Sequence, residues 1–497
     1  MCGAAALACA GLAAAPDAQA RGGVEIEPLL GVGVSSVARE RSGAGGDDGS
    51  DVVVRVTPGV RIASRGGRVE GSVDYRLSAV AYLRDEEDSN LQHRLGARLR
   101  AELVENHLDL NLAGNVSRQP TSIFGNQSAD GTLTEDNQSE VRNFSVQPVL
   151  RGVLGGVVAV QASATARHGN ADTRGFGTDG QDVQLTLSSA LPAKVGWSLS
   201  GTRQIADFEA GRETTTDRVL AAVSFRPDVD WVFSLRGGQE RTDIASVQSR
   251  TYDNWGIGVA WTPTPRTRLT ADADRRFFGD AYAVTAQHRH RRAAWAYSAS
   301  RALGEGTGEG IVAVNAYDLF FDLFASQEPD PVARDALVRS FLDRNGIPPE
   351  AIIGGLGFLT RAASVRERHQ LSVALSGRRT SFTASVYASR SERVDTISGA
   401  IDDLSEGAVR QQGLSLAVSH RLTPRDSLSL RATAAQTRPS GDRAASDLYS
   451  LWLTWSKRVS DRTGFSLGLR HSTYDSEEPG RDYNEIALTT ALNLRFF

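Results

Sequence analysis

Cysteine is all but missing. The 497-residue chain has two, Cys2 and Cys9, and none beyond them. A disulfide framework, a thiol nucleophile and a cysteine-ligated metal are therefore excluded from the body of the protein. Methionine occurs once, and lysine only as Lys194 and Lys457, so nearly every basic residue is arginine. Charge of one sign is lacking as well: the formal net charge is −4, which gives no basis for a nucleic-acid partner. Outside the extreme N-terminus no apolar run is long enough for a membrane-spanning helix.

What is present begins with a stretch of small apolar residues from Cys2 to Ala15, followed by Pro16 and the small-x-small triplet Ala18-Gln19-Ala20. Residues 1–20 read as an export signal, with the mature chain, 21–497, starting at Arg21. The plain alternative is an Ala-rich tail. A lipoprotein signal at Cys9 fits less well, because Leu7 stands one place too late.

From there on apolar and polar residues alternate with period two. Leu91, Leu95, Ala97, Leu99, Ala101 and Leu103 interleave with Gln92, Arg94, Gly96, Arg98, Arg100 and Glu102. The same pattern runs through Trp231-Phe233-Leu235, Trp255-Ile257-Val259-Trp261, Tyr449-Leu451-Leu453-Trp455 and Ile486-Leu488-Thr490-Leu492-Leu494-Phe496. Period two is the mark of a strand whose two faces meet different surroundings. Short turns such as Glu105-Asn106, Pro227-Asp228 and Thr423-Pro424 take turns with longer polar links, among them 40–50, 119–137, 279–281, 393–406 and 475–481. The reading is an all-β, antiparallel, up-and-down transmembrane barrel of about 22 strands. A β-sandwich would need a second layer to bury its apolar faces, and a propeller would need a blade repeat; neither is visible. A barrel in lipid meets both demands, apolar outside and fully hydrogen-bonded around the ring. Trp231, Trp255, Trp261, Trp295, Tyr282, Tyr449, Trp455 and Phe496 stand near strand ends, where interface girdles belong.

Residues 304–362 interrupt the alternation. Val314 to Ala325 and Pro331 to Arg344 read as helices, the second with Val332, Leu337, Val338, Phe341 and Leu342 on one face and Asn345-Gly346 as its stop. Link parity puts this insertion on the long-link, extracellular side, as a cap or as a constriction of the lumen.

No catalytic, metal or cofactor site is expected. His288-x-His290 is the one pair with ligand-like spacing, and by phase it faces outward near the lipid interface. The informative positions are the inward ones: Arg94, Arg98, Arg100, Arg236, Arg268, Arg276, Arg368, Arg431 and Arg470, with Tyr387 and Trp452, are assigned to the lumen lining. Mixed with Asp74, Asp109, Asp272, Asp274 and Glu485, these arginines could stiffen the wall as cross-strand ion pairs or attract an anionic, hydroxyl-rich solute. Two functions follow: a pore or export conduit, or a structural, surface-anchoring barrel with a self-plugged lumen. An outer-membrane enzyme is a distant third.

The chain resembles the PEP-CTERM system-associated outer-membrane β-barrel proteins of Gram-negative bacteria. The likeness lies in residues 26–34, 56–85, 91–120, 330–382 and 492–496, and is most specific in the run ARDALVRSFLDRNGIP at 333–348. The resemblance implies an outer-membrane location and a link to exopolysaccharide, and it carries no catalytic residues over. Partners implied by the barrel reading are outer-membrane lipid and lipopolysaccharide, the barrel-insertion machinery and polysaccharide. By phase Phe496 faces lipid and Phe497 ends the chain.

Overall fold

The computed structural model describes residues 23–41, 49–64, 66–84, 89–127, 137–191, 193–304, 314–324, 328–345, 352–354, 358–361, 363–394, 402–441 and 443–496. The proposed export signal and Phe497 lie outside them. Fifteen strands come first: β1 (Val24–Arg41), β2 (Gly49–Ser64), β3 (Val69–Tyr82), β4 (Asn90–Val104), β5 (Leu108–Pro120), β6 (Gln138–Leu154), β7 (Val158–Ala171), β8 (Thr178–Ser189), β9 (Val195–Phe208), β10 (Thr214–Phe225), β11 (Trp231–Thr242), β12 (Arg250–Thr264), β13 (Thr267–Arg276), β14 (Gly279–Arg289) and β15 (Ala293–Gly304). The insertion follows with a two-residue strand β16 (Val314–Asn315), helices α1 (Ala316–Leu323) and α2 (Pro331–Asn345), and β17 (Ile352–Gly354). Seven more strands complete the chain: β18 (Ser364–Ser376), β19 (Thr380–Arg393), β20 (Val409–Arg421), β21 (Asp426–Pro439), β22 (Ser446–Arg458), β23 (Thr463–Ser476) and β24 (Tyr483–Arg495).

All strands except β16 and β17 form one 22-stranded antiparallel sheet. It closes on itself because β1 pairs with both β2 and β24, from Leu29↔Arg495 to Arg41↔Tyr483. Closure matters because an open edge in hydrocarbon would strand its N–H and C=O groups. The ring also closes across the insertion: β15 pairs directly with β18 from Ala293↔Leu375 to Gly304↔Ser364. Strands of 10 to 18 residues exceed the roughly 9–11 a tilted strand needs to cross the bilayer.

The alternation in sequence becomes a difference between faces. Leu235, Ile257, Trp255 and Val386 are each more than half exposed on the outside of the cylinder, whereas Arg236, Asn254 and Ser385 point inward. A belt of that size would be untenable in water and is what hydrocarbon requires. Aromatic rings gather at the short-turn end of this belt: Trp231 stacks on Trp261 at 5.2 Å, and Trp455 meets Phe465 at 6.0 Å. His288 and His290 share that outer rim, His288 lying 6.0 Å from the Trp295 ring. The chain is an outer-membrane barrel, with short turns at one end and long links at the other.

One link departs from the sequence reading. Residues 279–281 are not a long link. β13 and β14 pair through to Arg276↔Gly279, so only Phe277 and Phe278 join them. Gly279 holds φ at +102°, which lets so tight a turn close.

Candidate functional site

The ring encloses a lumen, and the helices of the insertion enter it. α2 begins with Asp330, whose Oδ1 accepts the Ala333 N–H at 2.7 Å, and with Pro331 in the first turn, where a missing N–H costs nothing. α1 and α2 then pair through aromatic and aliphatic side chains. Phe320 and Phe341 lie 4.7 Å apart, Phe324 and Phe341 5.3 Å, and Phe320, Val338 and Leu342 are fully enclosed.

This pair bridges opposite arcs of the wall. On one side its core rests on Ala294, Ala296 and Ala374 of β15 and β18. The small side chains there let helix and wall approach closely. On the other side the contact is ionic. Asp335 accepts from Arg61 of β2 at 3.1 Å, from Arg339 one turn on at 2.9 Å, and from the Tyr317 hydroxyl. Arg339 reaches Asp74 of β3 at 3.0 Å and stacks over Tyr317 at 5.0 Å. Arg98 of β4 lies over Tyr317 and Phe321, 5.8 and 5.6 Å from their centres. Ala294 and Ala296 open β15, Ala374 nears the end of β18, and Arg61 nears the end of β2, so the helices sit toward the short-turn end. The helix pair of the insertion is a constriction inside the lumen and not a cap over it.

The electrostatics follow from that enclosure. Burial alone would raise the Asp335 carboxyl, but Arg339, the Tyr317 hydroxyl and Arg61 outweigh it and hold it below the usual carboxylate range. Burial, with Asp335 beside it, pushes the Tyr317 phenol well up. An alanine methyl in the β15–β18 contact contributes under about 1 kcal/mol. Losing one partner of a buried ion pair costs about 3–5 kcal/mol.

A second closure lies at the long-link end. Ile123 and Phe124, an apolar island in the β5–β6 link, fold inward onto Phe358, Leu404, Val409, Leu448, Tyr474 and Tyr483. The link is tied by polar bonds. Asp403 accepts the Ile123 N–H at 2.6 Å, the Ser122 hydroxyl at 2.9 Å and Arg443 at 2.7 Å. Arg481 donates to the Phe124 carbonyl at 2.7 Å, and the Tyr474 and Tyr483 hydroxyls donate to the Gly125 and Gln127 carbonyls. Burial pushes the Asp403 carboxyl up despite these donors. Arg361, on the strand-return of the insertion, stacks over Phe176 at 4.2 Å and extends the cover toward β7 and β8.

All eleven residues assigned to the lumen lining stand on the inner face, but in different settings. Arg94, Arg98, Arg100 and Arg268 are exposed to the lumen. Arg100 shares Asp109 with Arg151. Arg236 and Arg276 are tied into the wall. Arg236 bonds Asp272 and Asp274, both at 2.7 Å, and Arg276 bonds the fully buried Glu240. Arg368, Tyr387, Arg431, Trp452 and Arg470 lie on the β18–β23 arc. Tyr387 and Arg470 are almost wholly buried there and are not open stacking or binding surfaces. Trp452 lies between Arg470 and Arg431, 4.8 and 6.0 Å from its ring centre, beside a recess of about 180 Å³ lined also by Ser419, Ser429 and Thr489.

Reading the sequence by phase missed Tyr317, Asp335, Arg339 and Asp403. The Asp335–Arg339 spacing of four on a helix was the available signal for one pair. Nothing local marks Asp403. Among the described residues no three His, Cys, Asp or Glu side chains are grouped to hold a metal ion.

No family model and no curated protein matches the chain. Solved structures do. OccK11 (OpdR) of Pseudomonas aeruginosa is 11% identical over 95% of this chain and 96% of its own, with a TM-score of 0.33. OccAB1 of Acinetobacter baumannii is 11% identical over 97% and 100%, at 0.35. The siderophore receptor PirA of Pseudomonas aeruginosa is 9% identical over 96% and 81%, at 0.37. Overlays this loose say nothing of function.

Proposed function

We propose that the chain is a plugged outer-membrane conduit for a polar, anionic or hydroxyl-rich solute, linked to extracellular polysaccharide. One observation carries the reading: on the β2–β3 side the helix pair is held by ion pairs to a polar wall, a contact that water and ions can replace when it opens. A purely structural stopper would gain more from a dry apolar seat. The exposed guanidinium of Arg268, with the arginine-rich inner face of β4, supports an anionic or hydroxylated cargo, since a guanidinium is a forked donor. The resemblance to the PEP-CTERM-associated barrels supports the polysaccharide link. Transport is passive: the wall steers and the plug limits.

The second reading is a self-plugged anchoring barrel. The apolar cover at the long-link end favours it, because it closes the lumen a second time. Planar bilayers separate the two. Conductance in the full chain, or after removal of the insertion, supports the conduit. Silence in both, with normal polysaccharide secretion in cells lacking the protein, leaves the anchor.

A further inference from the structure

The outer face of β19–β22 carries a site of its own, built from residues in direct cross-strand register. At the long-link end three outward arginines stand side by side: Arg390 opposes Arg410, and Arg410 opposes Arg438. Like charges directly opposed repel, so such a row needs anions. The outer two have them: Arg390 pairs with Glu392 at 3.0 Å and Arg438 with Asp447 at 2.7 Å. Arg410, in the middle, has no ion pair among the described residues. One step toward the membrane centre, Gln412 opposes Gln436 and donates to it at 2.6 Å. Over the next two steps the face turns apolar and hollow. Ala434 and Ala432 are short, while Leu414 and Leu416 on one side and Tyr449 and Leu451 on the other stand tall. Together they frame a groove of about 410 Å³ that opens toward the hydrocarbon.

We infer that this face binds one acylated, anionic lipid of the outer leaflet, with its charged headgroup on Arg410 between Arg390 and Arg438, its hydroxyls or amides at Gln412–Gln436, and one acyl chain in the groove over Ala432 and Ala434. The order of chemistry along the strands is that of a lipid standing in a membrane: charge, then amide, then hydrocarbon. A second barrel docked here would fill the groove but leave three guanidiniums facing a like row. The phosphate of the headgroup is the natural partner for a forked guanidinium. The site depends on the barrel's place in the membrane and not on what passes through the lumen, so its failure would leave the conduit reading untouched.

The test uses the full chain in detergent, titrated with bis-phosphorylated lipid A and with the same lipid stripped of phosphate, bound lipid being counted by native mass spectrometry. One lipid A is retained in preference to the dephosphorylated form. Arg410→Glu, and separately Ala434→Phe, which fills the groove, each lower its occupancy about tenfold. Arg226→Glu, at the short-turn rim, leaves it unchanged. Heat-modifiable gel mobility identifies the folded fraction, and Arg410→Gln and Ala434→Leu replace any variant that does not fold. Equal retention of the two lipids, occupancy indifferent to Arg410, or a dimer that Ala434→Phe dissolves would each overturn the assignment.

Discussion

Arg339 of α2 reaches Asp74 of β3, Nη1 to Oδ2, at 3.0 Å. A residue of the inserted helix thus neutralises a carboxylate of the barrel wall, and both side chains are largely buried. Replacing Arg339 with Gln leaves Asp74 with Arg76 and Asp335 with Arg61 as their remaining cations and removes the one that links them. Docking of the helix pair should weaken by about 1.5 kcal/mol, a rise of about tenfold in the undocked fraction. Single-channel recording in planar bilayers should show it as frequent openings that the parent chain lacks. Unchanged silence with the insertion still able to move would count against the conduit.

The same contact sets a pH dependence. The docked helices hold Asp335 as a carboxylate, and its pKa in the folded protein is lowered. A lowered carboxylate stabilises docking above its ordinary value of about 4, and the contribution is lost as pH falls through the lowered value. Conductance should therefore rise on acidification below about pH 4. Asp335→Asn should be open at neutral pH and lose the dependence. Recording both proteins across that range decides the matter, and a parallel acid response in Asp335→Asn would assign the effect elsewhere.

Removing residues 305–363 should leave an intact ring. Gly304 already pairs with Ser364, so a two-residue turn can join β15 to β18 without moving either. The shortened chain should keep heat-modifiable mobility and conduct more than the parent. If it fails to fold, the insertion is part of the barrel's stability and not a separable plug.

The inner wall of β11–β13 predicts a contrast between two glycines. Arg236 on β11 reaches Asp272 and Asp274 on β13 across β12, and it can do so because Gly256 and Gly258 present no side chains between them. A Cβ at Gly256 would collide with the Asp274 carboxylate. Gly256→Val should cost about 1–3 kcal/mol in urea unfolding from lipid vesicles. Gly96→Ala, where a Cβ meets nothing within 4 Å, should stay within about 0.5 kcal/mol. Equal losses at both positions would remove the network from the account of wall stability.

Period two along the chain was enough to determine the strands, their inward and outward faces and their number. It works because a membrane barrel asks one question of every residue, lipid or water, and asks it alternately. The helices of the insertion were legible for a similar reason, through the spacing of Val338, Phe341 and Leu342. The two-residue turn at Phe277–Phe278 was not, since Gly279 at positive φ permits a closure that polarity alone does not signal.

Only the tertiary structure decided where the insertion goes and what holds it. Asp335 finds Arg61 across 274 residues of sequence, and Asp403 finds Ile123 across 280. No local pattern encodes such distances, because they depend on how the ring curves and on which arc a loop can reach. The alignment of Arg410 with Arg390 and Arg438 above a floor of alanines is of the same kind. Each strand shows its own alternation, but which residues stand side by side is set by the register between strands.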